Sequence, residues 1–260
     1  MNYIEEYYKN HDEDGRLLSR HGQVEYLTTM KYIEEILSGI PDPKILEVGA
    51  GTGIYSVALA KQGLDVTAVE LVEHNLEVLK SKLNGSEHIT AIQGNALDLS
   101  AFDDNTFDLT MVLGPMYHLY SKNDKLRALY EAIRVTKPKG YILVAYCMNE
   151  PTIVQYVFGS NHLHEVMDLN ILTSDWHCIS TPKELFEMIR TEEIADLNAH
   201  VPVNRIKLIA TDGATNYMRD KIDAMDDETF NKWMEYHMTV CERQDLIGAS
   251  HHTLDILQKE

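Results

Sequence analysis

The sequence predicts an α/β fold: a doubly wound, mostly parallel sheet of seven strands with helices on both faces. Short apolar strands alternate with helical segments from residue 44 onward, a glycine-rich turn follows the first strand, and an acidic residue closes the second. Strands that alternate with helices of about ten to fifteen residues are typical of βαβ units and a parallel sheet.

The predicted elements come from apolar periodicity and from glycine and proline at the boundaries. Helices are predicted at 21–38, 54–61, 72–83, 123–135 and 226–242. Strands are predicted at 44–48, 65–71, 89–93, 108–113, 141–147, 201–210 and 249–257. The run Thr181-Pro182-Lys183-Glu184 also looks like a helix start, with Thr181 as N-cap and Pro182 at the first helical position.

The length and composition indicate one domain. The chain has 260 residues, 44% of them hydrophobic, which is enough for a substantial core. We expect residues 41–260 to form that domain and residues 1–40 to form an N-terminal helical lid. Residues 151–200 follow the fifth predicted strand, and the stretch 151–180 shows no clear strand pattern. We therefore expect 151–200 to be an insertion on the substrate side.

Composition also narrows the environment and the partners. The three cysteines lie far apart with no CxxC pair, which is typical of a reducing compartment and provides neither a zinc ribbon nor a disulfide framework. The start of the chain lacks the apolar core of a secretory signal, and no apolar run is long enough to span a bilayer. We expect a soluble, cytoplasmic protein. The formal net charge of −18 disfavours a nucleic-acid partner, and the oligomeric state stays open.

The run Glu47-Val48-Gly49-Ala50-Gly51-Thr52-Gly53 lies between the first predicted strand and the following helix. Glycine lets the chain turn sharply and lets a ligand approach the backbone, and amides at a helix N-terminus can hold an electron-rich group. Glu70 closes the second strand at the same sheet edge, where ligands of open α/β sheets bind. Its carboxylate could accept hydrogen bonds from two ribose hydroxyls. A tight turn without a ligand and a solvated strand end are the alternatives.

Spacing distinguishes the nucleotide-binding families. The dinucleotide fingerprint G-x-G-x-x-G/A requires a small third residue at the position of Ile54. No Lys-Ser or Lys-Thr pair follows the glycines, so the Walker phosphate loop is absent. The chain has G-x-G-x-G preceded by Glu47, and this pattern resembles motif I of the class I, Rossmann-like S-adenosylmethionine-dependent methyltransferases of small-molecule type.

The resemblance covers about residues 40–150. ITAIQGNALDL is similar to the third strand and its loop, FDLTMVLGPMYHLY to the fourth strand and the loop beside the transferred methyl, and KPKGYILVAYC to the fifth strand. Asn95-Ala96 stands where the family usually has Asp-Ala against the adenine. The resemblance implies S-adenosyl-L-methionine as cofactor and these binding residues: Glu47, Gly49, Ala50, Gly51, Thr52, Gly53, Glu70, Leu71, Asn95, Ala96, Leu113 and Gly114.

The activity that the resemblance implies is methyl transfer to a nucleophile by in-line displacement. Such an enzyme has to align the reacting atoms and exclude water. A general base is needed only when the acceptor is protonated at neutral pH. Tyr117 and His118 follow the fourth strand and are the catalytic candidates. His118 could act as a base near neutral pH or serve only as a structural hydrogen-bonding group.

The predicted lid supplies further candidates. Arg20 or His21 could reach the methionine carboxylate of the cofactor. Tyr7, together with Tyr3 and Tyr8, could form an aromatic wall for the acceptor. A surface helix with packed tyrosines is the alternative.

In the insertion, Trp176 and His177 are the candidate acceptor-binding residues. The histidines there lack HxxxH and HExxH spacing, and His251-His252 should point to opposite faces of a strand. The sequence therefore predicts no metal site.

The predicted function is methyl transfer from S-adenosylmethionine to a small molecule, with the acceptor and the methylated atom left open. A protein or RNA acceptor is the less favoured alternative. The acidic charge disfavours RNA, and the NPPY motif that is typical of many amino-group methylases of nucleic acids or glutamine is missing after the fourth strand. Two other classes stay open. One is a cofactor-binding regulatory protein without transfer activity, and the other is a nicotinamide-dependent oxidoreductase, against which Ile54 argues.

Overall fold

The computed structural model describes residues 3–11 and 13–260. Its sheet contains β1 Lys44–Val48, β2 Asp65–Glu70, β3 Ile89–Gln93, β4 Phe107–Val112, β5 Thr136–Met148, β6 Met188–Ile189, β7 Val203–Ala210 and β8 His252–Lys259. The helices are α1 Tyr3–Asn10, α2 Glu13–Arg16, α3 Arg20–Leu37, α4 Ile54–Lys61, α5 Glu73–Ser81, α6 Lys122–Val135, α7 Asn149–Thr152, α8 Leu163–Asp168, α9 Thr191–Asn198, α10 Arg219–Asp223, α11 Asp227–Val240 and α12 Gln244–Ile247. Short 3-10 turns lie at Pro115–His118 and Thr215–Met218, and a π-helical turn lies at Ile153–Gly159.

The strand order is β3-β2-β1-β4-β5-β8-β7, with β6 beside β5. β8 runs antiparallel to β5 and β7, whereas the pairs among β1 to β6 are parallel. The chain reverses its direction of winding between β1 and β4, which is where the ligand crevice opens in doubly wound sheets. The predicted doubly wound, mostly parallel sheet is confirmed.

Helices cover both faces of the sheet. Alternate side chains of one strand point to opposite faces, so Leu46 and Val48 join one hydrophobic cluster and Ile45 joins the other. α6 and α9 pack on the first cluster, and α3 and α4 pack on the second. No helix in the described part of the chain combines the length and the apolar character needed to cross a membrane.

The sheet has eight strands, so the predicted count of seven was wrong. β6 pairs in parallel with Cys147 and Met148 at the end of β5. Because Cys147 also pairs with His252 of β8, β6 lies on the other edge of β5, beyond the end of β4. A strand of two residues is too short to show alternation of apolar and polar side chains, so the sequence pattern could not predict it.

The predicted helix at Thr181 forms only one turn. The Thr181 N–H donates to the Glu184 carboxylate at 2.8 Å, and the Thr181 hydroxyl donates to the same carboxylate. This is capping chemistry, but Leu185 has a φ of 68°. A residue in the left-handed region ends a helix, so the chain leaves the turn and continues toward β6.

Most predicted boundaries agree with the structure to within a few residues. β1, β3 and α4 occupy the predicted ranges, whereas β8 begins three residues later than predicted. The N–H groups of His251 and His252 donate to the Asp212 carboxylate at 3.0 and 3.2 Å. At the start of this segment, the Asp212 side chain thus accepts backbone hydrogen bonds that a neighbouring strand would accept in a regular sheet.

The three N-terminal helices differ in burial. α3 buries Val24 and Ile33 completely and belongs to the packed body of the protein, whereas α1 has no buried residue. Residues 1, 2 and 12 of the predicted lid lie outside the described residues. Within the predicted lid, residues 1–40, α1 lies on the surface, whereas α3 belongs to the packed body.

We predict that the pairing of β7 with β8 depends on an ion pair between Arg205 and a buried carboxylate. The Asp255 side chain is fully buried, and the Arg205 guanidinium donates to it at 2.7 and 2.9 Å. Arg205→Met leaves a buried carboxylate without its cation, so we expect urea denaturation to show a loss of about 3 kcal/mol in unfolding free energy at neutral pH. The matched variant Lys232→Met breaks an exposed pair with Glu235 and should cost less than about 1 kcal/mol. Equal losses would contradict this account.

Candidate active site

A cavity of about 280 Å³ opens at the carboxyl ends of the parallel strands, beside the switch point between β1 and β4. We call it the first cavity. Most of the predicted cofactor-binding residues line it, namely Glu47, Gly49, Ala50, Gly51, Thr52, Glu70, Leu71, Asn95, Ala96, Leu113 and Gly114. The predicted pair Tyr117 and His118 lines the same cavity. The sheet edge thus brings together residues from the loops after β1, β2, β3 and β4.

The glycines of the loop after β1 have different physical tasks. A Cβ on Gly49 would lie 2.6 Å from Cδ of Pro115, so this glycine lets the loops after β1 and β4 touch. Gly51 has a φ of 56°, and its Cβ would meet no atom within 4 Å, which leaves open space beside the backbone. Gly53 has a φ of 82°, and its Cβ would lie 2.5 Å from Leu79. Gly53 therefore serves helix packing and is not among the lining residues of the first cavity.

Glu47, on β1, forms hydrogen bonds to α4. The Ser56 N–H donates to its carboxylate at 3.0 Å, and the Ser56 hydroxyl donates to the same oxygen. The side chain is almost completely buried, and burial raises the pKa of Glu47 to about 8. The folded protein therefore binds the Glu47 proton more tightly than the unfolded chain does.

Glu70, at the end of β2, forms a hydrogen bond to the glycine loop. The N–H groups of Gly51 and Val72 donate to its carboxylate at 2.7 and 2.8 Å. Burial raises the pKa of Glu70 above its usual value. Asn95 is exposed and accepts the Leu97 N–H at 2.9 Å, which shapes the turn after β3.

His118 is held at both ring nitrogens. Nδ1 lies 2.9 Å from the carbonyl oxygen of Leu185, and Nε2 lies 2.9 Å from the hydroxyl of Tyr8. Because a carbonyl only accepts, Nδ1 carries the proton in the neutral ring, and Nε2 accepts from Tyr8. Burial lowers the pKa of His118 below its usual value, which keeps the ring neutral at physiological pH.

Leu185 and Phe186 were missed by the sequence reasoning. Leu185 has a φ of 68°, and its carbonyl accepts from the Tyr120 hydroxyl at 2.8 Å as well as from His118. The Phe186 ring packs against His118 at 5.3 Å and Tyr117 at 5.9 Å between centroids. β6 brings this segment beside the loop after β4. No local pattern marks a leucine that adopts a positive φ.

A second cavity of about 350 Å³ adjoins the first, and Tyr8, Arg16 and Tyr117 line both. Tyr7, the predicted acceptor residue, lines this second cavity. Its ring lies edge-on to Phe186 at 5.6 Å between centroids. The second cavity therefore has aromatic walls and lies next to His118.

A network of four charged side chains borders the second cavity. Arg16 donates to both carboxylate oxygens of Glu25, at 2.7 and 3.3 Å. His252 Nδ1 lies 2.7 Å from Asp212 and 3.4 Å from Glu25. Burial disfavours the charged imidazole, but these two carboxylates raise the pKa of His252 well above its usual value.

Ligand atoms of Glu25, Asp212 and His252 lie within 4.8 Å of one another, a spacing that a metal ion could bridge. The two carboxylates are already neutralised by the Arg16 guanidinium and the His252 imidazolium, so ion pairing accounts for the cluster. The His251 ring is not part of this cluster and contacts the Tyr217 ring at 5.1 Å between centroids, although the His251 backbone N–H donates to Asp212.

Arg20 and His21 lie where α3 meets α10 and α11. Arg20 donates to Asp227 at 2.6 Å and lies over the Phe230 ring. His21 bonds Asp223 through its backbone N–H and its ring. Among the described residues, Arg16 is the arginine that lines the first cavity. Its position depends on the path of the chain between α1 and α3, which no local pattern encodes.

Trp176 and His177 do not line the first or the second cavity. Trp176 has a φ of 61° and contacts the Phe158 ring at 5.5 Å between centroids. His177 Nε2 lies 2.9 Å from the carboxylate of Glu193. Both residues fix the conformation of the segment 151–200, and their role in acceptor binding stays a prediction.

Comparison with known proteins agrees with this geometry. Residues 46–144 match the family described as Methyltransferase domain. A ubiquinone biosynthesis O-methyltransferase from Alkalilimnicola ehrlichii is 23% identical over 195 residues, 73% of this chain and 77% of the relative. A demethylmenaquinone methyltransferase from Renibacterium salmoninarum is 35% identical over 115 residues, 44% of this chain and 46% of the relative. The matched part spans less than half of the length of several curated relatives.

Among solved structures, an S-adenosylmethionine-dependent methyltransferase from Methanosarcina mazei aligns with a TM-score of 0.57 at 15% identity, over 86% of this chain and 96% of that one. At this identity the likeness shows the fold. Residues 46–144 thus match a methyltransferase domain, and the chain shares the fold of the class I S-adenosylmethionine-dependent methyltransferases. S-adenosyl-L-methionine is the cofactor of that class.

We predict that Glu47 makes stability depend on pH. Its folded-state pKa of about 8 lies above the usual value of 4.5, so the free energy of unfolding falls as the pH rises between these two values. Glu47→Gln keeps an oxygen for Ser56 but removes the ionisation. Urea denaturation between about pH 5 and pH 8 should show that the variant lacks a decline of up to about 1.4 kcal/mol per pH unit.

The matched control is Glu77→Gln, which changes an exposed carboxylate on α5. Its stability should follow the pH dependence of the unaltered protein. If Glu47→Gln and Glu77→Gln have the same pH dependence, Glu47 is not held protonated by burial.

Proposed function

We propose that the protein transfers a methyl group from S-adenosylmethionine to a small-molecule acceptor by in-line displacement. One observation carries this proposal: the open space at Gly51 and the Tyr8–His118 pair lie in one cavity, which adjoins the aromatic second cavity. A donor in the first cavity and an acceptor in the second would meet at the residues that both cavities share. The strong acidity of the chain supports a small acceptor over a nucleic acid.

The first cavity fits the cofactor by the chemistry of its lining. The open backbone at Gly51 suits the methionine portion, and the Glu70 carboxylate at the end of β2 suits the ribose hydroxyls. Asn95 stands at the position where the family contacts the adenine. We assign the methionine carboxylate to Arg16, because Arg16 lines the first cavity and Arg20 does not. The Arg16 guanidinium would then be shared between Glu25 and the ligand.

We infer that α1 is a lid. The first cavity, at about 280 Å³, is slightly smaller than the lower limit of about 300 Å³ for ligand sites, so a nucleoside-sized ligand requires the cavity to widen. α1 contributes Ile4 and Tyr8 to the lining and buries none of its residues. Moving α1 outward therefore disrupts little packing, and its return would exclude water from the reacting atoms.

His118 is suited to act as a general base. The sulfonium of the cofactor supplies an activated methyl group, and the chain has to supply a deprotonated nucleophile. Nε2 of neutral His118 has a lone pair directed at the Tyr8 hydroxyl. An acceptor hydroxyl that replaces the Tyr8 hydroxyl would pass its proton to Nε2. The Leu185 carbonyl would keep the Nδ1 proton in place and stabilise the imidazolium.

The acceptor we favour is a ring that carries a hydroxyl group. Tyr7, Tyr117 and Phe186 provide aromatic walls for a planar molecule. The relatives named for ubiquinone and menaquinone biosynthesis support ring-bearing acceptors.

The three cysteines of the chain are free thiols, which supports the proposal of a reducing, cytoplasmic environment.

The test of this proposal is transfer from S-adenosylmethionine to a panel of phenols and catechols, followed by mass spectrometry. His118→Asn should lower kcat by a factor on the order of 10² to 10⁴ and leave the affinity for S-adenosylhomocysteine unchanged. Burial lowers the pKa of His118 from 6.5, so the rate of the unaltered enzyme should fall only below about pH 6.5, where the ring gains its proton.

The matched control is Tyr120→Phe, which removes the other hydrogen bond to the Leu185 carbonyl without altering His118. It should retain most of the rate and the same pH profile. A His118→Asn variant with the rate and pH profile of the unaltered enzyme would refute the role of His118 as base. A folded enzyme that methylates no member of the panel while it binds the cofactor would count against a hydroxylated ring as acceptor.

A further inference from the structure

A third cavity, of about 890 Å³, lies between the segment 151–200 and the Thr215–Met218 turn. It adjoins the second cavity, since Phe186, Asn216 and Arg219 line both. The larger part of its wall is apolar and comes from the segment 151–200: Val154, Val157, Val166, Ile171, Leu172, Ile179, Phe186 and Met188. The third cavity is therefore larger and more apolar than the second cavity, the proposed acceptor site, from which it continues.

The ionisable side chains in this wall are few. Glu184, Arg219 and His251 are the ones whose side chains are charged or titrate near neutral pH. Burial lowers the pKa of His251 to about 4, so its ring is neutral at physiological pH. Arg219 is exposed and donates to Asn216 at the junction with the second cavity. The interior of the third cavity therefore favours an uncharged, apolar occupant.

The segment that builds this cavity also exposes apolar side chains to an unusual degree. Of the fourteen exposed large hydrophobic side chains in the described part of the chain, seven lie between residues 154 and 179, which is a tenth of the sequence. Val154 and Ile179 are 53% and 43% exposed and line the third cavity, so the cavity reaches the surface. Contiguous exposed apolar surface around a cavity is one of the features that mark a ligand-binding groove.

The backbone of this wall is irregular. Ile153–Gly159 forms a π-helical turn, a conformation that is rare and frequent at functional sites. Beneath it lies a small core of Ile153, Val157 and Val166. The segment therefore has its own packing support and can keep the cavity open beside the main core.

We propose that the third cavity binds the apolar tail of the methyl acceptor, whose reactive ring occupies the second cavity beside His118. This inference rests on the proposed methyl transfer and adds to it a class of substrate, an amphipathic molecule with a hydrocarbon chain. Phe186 lies between the two spaces and contacts His118, so a ring held against it has its tail directed into the third cavity.

The experiment is calorimetric binding of 4-ethyl-, 4-butyl-, 4-hexyl- and 4-octylphenol to the full chain saturated with S-adenosylhomocysteine. Because each methylene leaves water for an apolar wall, Kd should tighten by about fourfold for each added methylene. Val154→Asp places a carboxylate at the rim of the cavity and should abolish most of this dependence on chain length. Ile179→Asp changes another lining residue, distant in sequence from Val154, and should also abolish most of the dependence on chain length.

The matched control is Leu169→Asp, which puts the same charge on an exposed residue of the same segment outside the cavity lining. It should keep the dependence on chain length. A Kd that does not change with chain length, or a dependence that persists equally in all three variants, overturns the proposal; the second result would assign binding to the exposed surface. S-adenosylhomocysteine affinity is measured in the same samples, and its absence would contradict the methyltransferase proposal separately, whatever the alkylphenols do.

Discussion

The close approach of two loops at the switch point determines how the site is built. Gly49 can touch Pro115 only because it lacks a Cβ, and a Cβ on Gly114 would lie 3.0 Å from the Gly49 oxygen. The loop after β1 carries the predicted cofactor contacts, and the loop after β4 carries His118. Their contact fixes the spacing between the glycine loop and His118 before any ligand binds, and such prior alignment of groups is a source of rate enhancement in enzymes.

The second cavity, which we propose as the acceptor site, depends on elements that follow β5 in the sequence. β6 pairs with the end of β5 on the side that faces β4, and it places Leu185 and Phe186 beside His118. The charged network of Arg16, Glu25, Asp212 and His252 closes the other side of the second cavity. Segments that are distant in sequence thus fix the tautomer of His118 and shape the space in front of it.

The parts of this structure that follow from local rules could be predicted from the sequence. Alternating strands and helices, the glycine loop and the acidic residue at the end of β2 are local patterns, and they locate the first cavity. Pairing between remote segments has no such pattern. The two-residue β6, the positive φ of Leu185 and the position of Arg16 arise from tertiary contacts, which also override the helix-start chemistry at Thr181. For the same reason Arg20 was assigned a role that its ion pair with Asp227 does not support.

The central claim is that the space beside Gly51 holds the cofactor, and isothermal titration with S-adenosylhomocysteine tests it most directly. Gly51 and Gly63 both have positive φ and open space at the Cβ position, but Gly63 lies in the turn after α4, away from the cavity. The unaltered protein and Gly63→Arg should bind S-adenosylhomocysteine and not NAD, and Gly51→Arg should lose binding. A folded, unaltered protein that does not bind S-adenosylhomocysteine, or a Gly51→Arg variant that binds it equally well, would contradict the account.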